Sequence, residues 1–143
     1  MNANLLRQIS KFVVVGFINT GIDFGILNLL MFLTGIYSGR WIILLNSISF
    51  AVAVINSYLW NKYWTFKQEG SETGQIAREF SQFLVVSIVG ISLNSGIVYG
   101  ISTFVPALFG LSPALWVNFA KVLATVVSMA WNFTGYKFIV FKK

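Results

Sequence analysis

Read from its amino terminus, the chain alternates four long apolar runs with short polar breaks. The runs cover roughly Phe12 to Thr34, Trp41 to Trp60, Phe83 to Val105 and Ala114 to Phe133. Each approaches or exceeds the roughly 20 residues that a helix needs to cross a hydrocarbon core about 30 Å thick. The breaks carry helix-stop chemistry. Gly35 to Gly39 predicts a tight first hairpin, and Lys67 to Arg78 is the one truly polar loop. Between Val105 and Pro113 lies a last turn in which Ser112 is suited to cap a helix and Pro113 to occupy its first position. The predicted fold is therefore an all-α integral membrane bundle of four transmembrane helices in a single domain spanning residues 1–143. Two flanking stretches, Leu5, Leu6, Ile9 and Phe12, then Ile76, Phe80 and Phe83, each place apolar residues on one helical face. They are expected to lie in the membrane interface before the chain turns inward.

Composition sharpens this picture. Apolar residues make up 57% of the 143 positions and charged residues 10%, against about 25% charged in a soluble domain. With neither cysteine nor histidine, disulfides, thiol nucleophiles, imidazole bases and the usual zinc and iron centres are excluded. No cofactor or metal is expected, and no acid–base or nucleophilic constellation for an enzyme can be assembled. Asn2 to Lys11 is short and polar and the run after it is too long for a signal h-region, so no cleaved signal peptide is expected. The net charge of +6 follows from membrane orientation. Arg7, Lys11, Lys62, Lys67, Arg78, Lys137, Lys142 and Lys143 fall on one side of the predicted spans, and Arg40 alone falls on the other. The positive-inside rule then puts both termini in the cytoplasm. Trp41, Trp60, Tyr63, Trp64, Trp116, Trp131 and Tyr136 sit near span ends, as residues of an interfacial aromatic belt do.

The two halves of the chain read alike. Lys11 to Gly16 (KFVVVG) matches Gln82 to Ser87 (QFLVVS), and in that register Asp23 falls on Asn94 and Gly25 on Gly96. Asn56 to Phe66 (NSYLWNKYWTF) matches Trp131 to Phe141 (WNFTGYKFIVF), with Lys62 on Lys137. Repeat one covers about 8–67 and repeat two about 79–143. Each holds two spans, so the repeats are expected in parallel topology about an axis along the membrane normal.

Polar side chains inside the spans are the candidate functional residues. A charge at mid-bilayer costs at least ~2.5–3.5 kcal/mol on insertion scales, yet Asp23 lies in the middle of the first span and Lys121 near the middle of the fourth. Their depths allow an ion pair. Asn118, Lys121, Thr125, Ser128 and Asn132 recur at helical steps on the fourth span, and Asn46, Ser49, Ala53 and Asn56 on the second. Gly16, Asn19, Thr20 and Asp23 do so on the first, and Ser87, Gly90 and Asn94 on the third. Turned inward, these faces predict a hydrophilic seam. Small and amide residues also pack membrane helices simply by close approach, a role that does not call for an ionised group. Lys121 suits an anionic phosphate held by a point charge. Asn61 with Lys62, and Tyr136 with Lys137, set cations at the cytoplasmic ends, where they can dock an anionic headgroup or anchor the helix. Arg40 is placed to meet a phosphate on the far side.

These residues give the chain its resemblance to the GtrA-like family of small four-span membrane proteins. The carriers are Lys11-Phe12, Gly16, Asn19-Thr20 and Asp23, and the NSYLWNKYWTF ending of the second span with its echo after Lys121. Position 62 is lysine where arginine is commoner in the family, which keeps the charge and loses bidentate phosphate geometry. The resemblance implies movement of a monosaccharide linked to polyprenyl phosphate, such as undecaprenyl-phosphate glucose, from the inner to the outer leaflet of a bacterial plasma membrane. There the sugar would decorate a teichoic acid, O-antigen or other surface polysaccharide. Membrane glycosyltransferases upstream and downstream are the implied partners, with no nucleic acid. Asn19, Asp23, Arg40, Asn56, Asn61, Lys62, Asn94, Asn118, Lys121, Asn132 and Lys137 are the expected substrate-binding residues. Four short helices hardly enclose a sugar, so a homo-oligomer, most simply a dimer, or a groove open to lipid is expected. Two other functions fit the same pattern: a non-catalytic subunit that stabilises a polyprenyl-phosphate glycosyltransferase, and a small proton-coupled cation exporter using Asp23, against which the nearby Lys121 argues.

Overall fold

The computed structural model describes residues 3–65 and 73–140. Four helices run through it: α1 (Ala3–Thr34), α2 (Arg40–Trp60), α3 (Thr73–Phe104) and α4 (Pro113–Gly135). α2 and α4 each continue into one π-helical turn, Asn61–Thr65 and Tyr136–Val140. The stretches long and apolar enough to cross a membrane are Leu6–Thr34, Arg40–Thr65, Ala77–Phe104 and Pro113–Val140. At 1.5 Å per residue, the 32 residues of α1 extend about 48 Å, well beyond a hydrocarbon core of ~30 Å.

That length corrects the expected interfacial segments. α1 and α3 are each continuous from Ala3 and from Thr73, with no turn before the span. Phe12 and Phe83, expected at the interface, are buried in the bundle. Arg78, assigned to the polar loop, is helical. Phe66, Lys67, Phe141, Lys142 and Lys143 lie outside the described residues, as do the side chains of Leu5 and Ile76.

The turns follow their sequence chemistry. Gly35 and Gly39 take φ of +68° and +77°, left-handed backbone that closes the first hairpin and favours glycine. The side chain of Ser112 accepts a hydrogen bond from the Leu115 amide, and Pro113 occupies the first turn of α4. α1 begins, α2 ends, α3 begins and α4 ends at one end of the bundle, called here the terminal end; the two hairpins occupy the other.

Burial is that of a protein solvated by lipid. Phe17 on α1, Ile55 on α2, Val85 on α3 and Val126 on α4 are each more than 60% exposed, and a soluble protein does not present such apolar faces on every helix. Inside, two apolar clusters sit towards opposite ends. Phe12, Phe50, Phe83, Val86, Tyr136 and Val140 form one at the terminal end. Leu27, Met31, Ile42, Leu45, Val98 and Val117 form the other near the hairpins. Between them lies a layer of buried polar groups.

Among the described residues, α3 packs most extensively on α4 and α1 on α2. α2 meets α3 along a substantial seam, whereas α1 meets α4 only sparingly. Two aromatics expected in the interfacial belt belong to the interior. Trp116 is buried and its indole N–H donates to the carbonyls of Ile101 (3.3 Å) and Val105 (2.9 Å). It thereby satisfies the Val105 carbonyl just past the end of α3 and shares the Ile101 carbonyl with the Val105 amide. Tyr136 is buried, stacked on Phe83 and hydrogen-bonded to Ser87 at 3.2 Å. Trp41, Trp60 and Tyr63 remain exposed, as a belt requires.

A buried ion pair and a polar cavity on the α1–α4 seam

The helical spacing that puts Asp23 and Lys121 on inward faces also brings them into contact. Lys121 Nζ lies 2.8 Å from Asp23 Oδ1, with both residues buried. The same carboxylate oxygen accepts from Ser49 Oγ at 2.7 Å. Lys121 also donates to Asn46 Oδ1 and sits 5.7 Å from the centre of the Phe24 ring. An ion pair out of water needs further hydrogen bonds to offset its desolvation, and Ser49 and Asn46 supply one to each partner.

Asn46 carries the network onward. Its amide donates to Asn94 Oδ1 (3.0 Å) and Ser95 Oγ (2.9 Å), and Asn94 in turn donates to Ser128 Oγ (3.1 Å). All four helices are therefore joined through one polar layer. The layer thus holds two pairs, the ion pair Asp23–Lys121 and the amide pair Asn94–Asn46, one charged and one neutral.

Along the loose α1–α4 seam, on the terminal side of this layer, is a half-open cavity of about 70 Å³. By volume it admits on the order of five waters. α1 lines it with Phe12, Gly16, Asn19, Thr20 and Asp23; α2 and its π-helical turn with Phe50, Val54, Ser57 and Asn61; α4 and its π-helical turn with Thr125, Ser128, Met129, Asn132 and Tyr136. Beyond the layer, towards the hairpins, Asn28 and Asn118 close the seam with reciprocal amide bonds of 2.8 Å. At the other extreme Phe12 packs edge-on against Phe133 and Tyr136. Residues of the wall hold unpartnered polar atoms. Asn61 Oδ1, Thr125 Oγ1 and Asn132 Oδ1 are buried without a hydrogen-bond partner. Each such atom ordinarily costs ~1–3 kcal/mol until a partner reaches it.

The expected site residues divide accordingly. Asn19, Asp23, Asn61 and Asn132 line the cavity. Asn56 lies behind it, its amide donating to Asn19 Oδ1 at 2.8 Å. Asn94 and Lys121 belong to the buried layer, and Lys121 does not line the cavity. Asn118 is engaged with Asn28. Lys62 is buried at the terminal end, 3.7 Å from Glu79 Oε2 and 3.4 Å from the Tyr58 hydroxyl. Lys137 lies near the Phe133 and Phe138 rings, while Arg40 is exposed at the hairpin end near Trp41. Of the cations expected to meet a phosphate, Lys62 and Lys121 are thus paired with acids.

Sequence reasoning passed over Asn28, Ser57, Glu79 and Ser95. Asn28 is five residues beyond Asp23 and so falls off the i+3/i+4 face. Glu79 follows Arg78 directly and reads as surface charge. Ser57 and Ser95 adjoin residues that were singled out, Asn56 and Asn94.

Comparison with known proteins agrees with the membrane architecture. The family described as GtrA/DPMS, transmembrane domain, matches residues 11–141. An uncharacterized membrane protein of Bacillus subtilis (strain 168), YngA, is 28% identical over 141 residues, covering 95% of this chain and 80% of the relative. No solved structure matches the chain. With four membrane-spanning helices and a family match over nearly its whole length, this multi-pass membrane protein belongs to the GtrA/DPMS transmembrane-domain family.

Proposed function

We propose that the protein moves a polyprenyl-phosphate-linked monosaccharide from the inner to the outer leaflet of a bacterial plasma membrane, supplying sugar for a cell-surface polysaccharide or teichoic acid. Both termini are cytoplasmic in this reading, which rests on the loop charges. The observation that carries the proposal is the half-open polar cavity on the α1–α4 seam, ending on the Asp23–Lys121 pair. A lipid-linked sugar keeps its long tail in the hydrocarbon, so only the headgroup needs a polar path. A cavity open on one side and walled by amides and hydroxyls offers hydrogen bonds to a headgroup whose tail stays in lipid. Its small volume favours a binding site completed by a second copy of the chain or by lipid.

The seam is also suited to move. α1 and α4 touch sparingly, and a methyl on Gly16 would lie 3.1 Å from the flexible end of Met129. Methionine adapts its shape readily. A headgroup passing the polar layer would exchange hydrogen bonds with Asn19, Asn56, Asn94 and Asn118, while Lys137 at one end and Arg40 at the other meet the phosphate before and after crossing. Membrane glycosyltransferases would make the lipid-linked sugar inside and consume it outside.

Deletion in the host tests this against the subunit reading. The expected result is loss of surface glycosylation with accumulation of the lipid-linked sugar. Loss of the lipid-linked sugar itself would instead identify a subunit that sustains the synthase. The cation-exporter reading is disfavoured by the Lys121 cation held 2.8 Å from Asp23, the carboxylate such a transporter would use.

A further inference from the structure

Resting on the lipid-linked-sugar reading, we propose that the α1–α4 cavity holds the uncharged sugar of the substrate and not its phosphate, which stays at the terminal end with Lys137. The chemistry of the wall supports this division. Among the described residues, the only ionisable groups lining the cavity are the Asp23 carboxyl and the Tyr136 phenol; no lysine or arginine lines it. A phosphate brought there would meet a carboxylate whose lysine lies outside the wall, fully buried and already engaged by Asp23 and Asn46. With the lysine spent on Asp23, the wall offers a phosphate no free cation and sets a carboxyl beside it, which disfavours that ligand.

The unpartnered atoms point the same way. Asn61 is fully buried and spends its amide N–H on Ser57 Oγ at 2.9 Å, which leaves Oδ1 without a donor. Thr125 Oγ1, across the cavity on α4, is likewise unpartnered. The Asn61 amide oxygen can only accept and so calls for a donor, while the Thr125 hydroxyl can donate or accept. A phosphodiester oxygen only accepts; a sugar hydroxyl donates and accepts. The apolar part of the wall, Phe12, Phe50 and Val54, suits the C–H faces of a sugar ring.

Three cations adjoin cavity-lining residues in the sequence. Lys11 precedes Phe12, Lys62 follows Asn61 and Lys137 follows Tyr136, and all three of those neighbours line the wall. Lys62 is paired with Glu79, and Lys11 Nζ donates to the Trp64 carbonyl at 2.9 Å. Lys137 is in no ion pair among the described residues. A phosphate one bond from the sugar therefore meets Lys137 while the ring occupies the cavity. Lys121 becomes a positioning residue, holding the Asp23 carboxylate at the cavity floor.

The test is binding to the purified full-length protein in nanodiscs, with short-chain polyprenyl phosphates carrying a hexose, a pentose or an N-acetylhexosamine, and the same lipid phosphate without sugar. At least one sugar-bearing lipid should bind about tenfold or more tighter than the bare lipid phosphate, a difference of ~1.4 kcal/mol. Thr125→Val, which removes an unpartnered hydroxyl and keeps the side-chain shape, should erase much of that preference and leave bare-lipid binding unchanged. Lys137→Gln should weaken both lipids alike. The free methyl glycoside of the preferred sugar should compete, and inorganic phosphate should not displace the sugar from the Lys137→Gln variant. The proposal is overturned if no sugar raises affinity above the bare lipid phosphate, or if Thr125→Val leaves the preference intact. Transport in vesicles separates the two claims. Transport without sugar preference overturns the sugar site alone; sugar preference without transport supports the site and overturns the translocation reading.

Discussion

Replacing Lys121 by methionine removes the one cation that balances Asp23 and keeps most of the side-chain volume. Asp23 Oδ1 then loses its partner at 2.8 Å and retains only Ser49 at 2.7 Å, while Asn46 Oδ1 loses its donor. The lysine site itself is closed to water, because Lys121 is 0% exposed, although Asp23 keeps its contact with the cavity. Removing one member of a buried pair costs ~3–5 kcal/mol, a large share of the stability of a domain this small. The double variant Asp23→Asn/Lys121→Asn substitutes the neutral arrangement that Asn94 and Asn46 already hold at 3.0 Å. It should recover at least half of the loss. The assay is reversible unfolding in mixed micelles for the wild type, Lys121→Met, and the cycle of Asp23→Asn, Lys121→Asn and their double variant. A coupling of ~2 kcal/mol or more is expected. Coupling below ~0.5 kcal/mol, the level of independent sites, would mean that the pair does not form in the folded protein and would remove the floor of the proposed cavity.

Two further outcomes follow from packing and charge. At Gly135 an added methyl would stand 2.5 and 2.9 Å from the two γ-carbons of buried Val86, so Gly135→Ala should destabilise by ~1–3 kcal/mol, measured by the same unfolding assay. Gly90→Ala should be milder, since the nearest atoms its methyl meets belong to the end of one side chain, the Asn132 amide. Because the chain has no cysteine, single cysteines report its orientation. Ser38→Cys should react with a membrane-impermeant maleimide added to intact cells, and Lys143→Cys only after permeabilisation; the reverse pattern would overturn the orientation read from the loop charges.

Much of the fold is legible in hydropathy because a bilayer imposes a length and leaves no alternative to helix for an isolated span. The hairpin glycines, the Ser112 cap and the inward polar faces follow from local geometry, and the Asp23–Lys121 pair from depth and helical phase. Helix ends were less readable. An apolar face at Leu6 or Phe80 is compatible with a helix lying in the interface or with one that simply continues, and periodicity does not distinguish them. Trp116 and Tyr136 sit at span ends, where aromatics are usually anchors; their burial depends on a neighbouring helix, through the Ile101 carbonyl in one case and the Phe83 ring in the other. The π-helical turns at Asn61 and Tyr136 carry no residue signature, yet they set those two side chains in the cavity wall. The cavity itself arises because α1 and α4 pack less closely than α2 and α3, an inequality between helix pairs that no single span encodes.

The central claim is translocation, and reconstitution measures it directly. Purified protein is placed in liposomes containing a polyprenyl-phosphate monosaccharide, and the fraction of lipid-linked sugar accessible to an externally added, membrane-impermeant sugar-oxidising reagent is followed in time. With wild-type protein the accessible fraction should rise from about half towards completion on the timescale of the assay, while protein-free vesicles and Lys121→Met vesicles stay near half. Wild-type vesicles, with the protein shown to be folded, that expose the sugar no faster than protein-free vesicles across the panel of sugars would contradict the account.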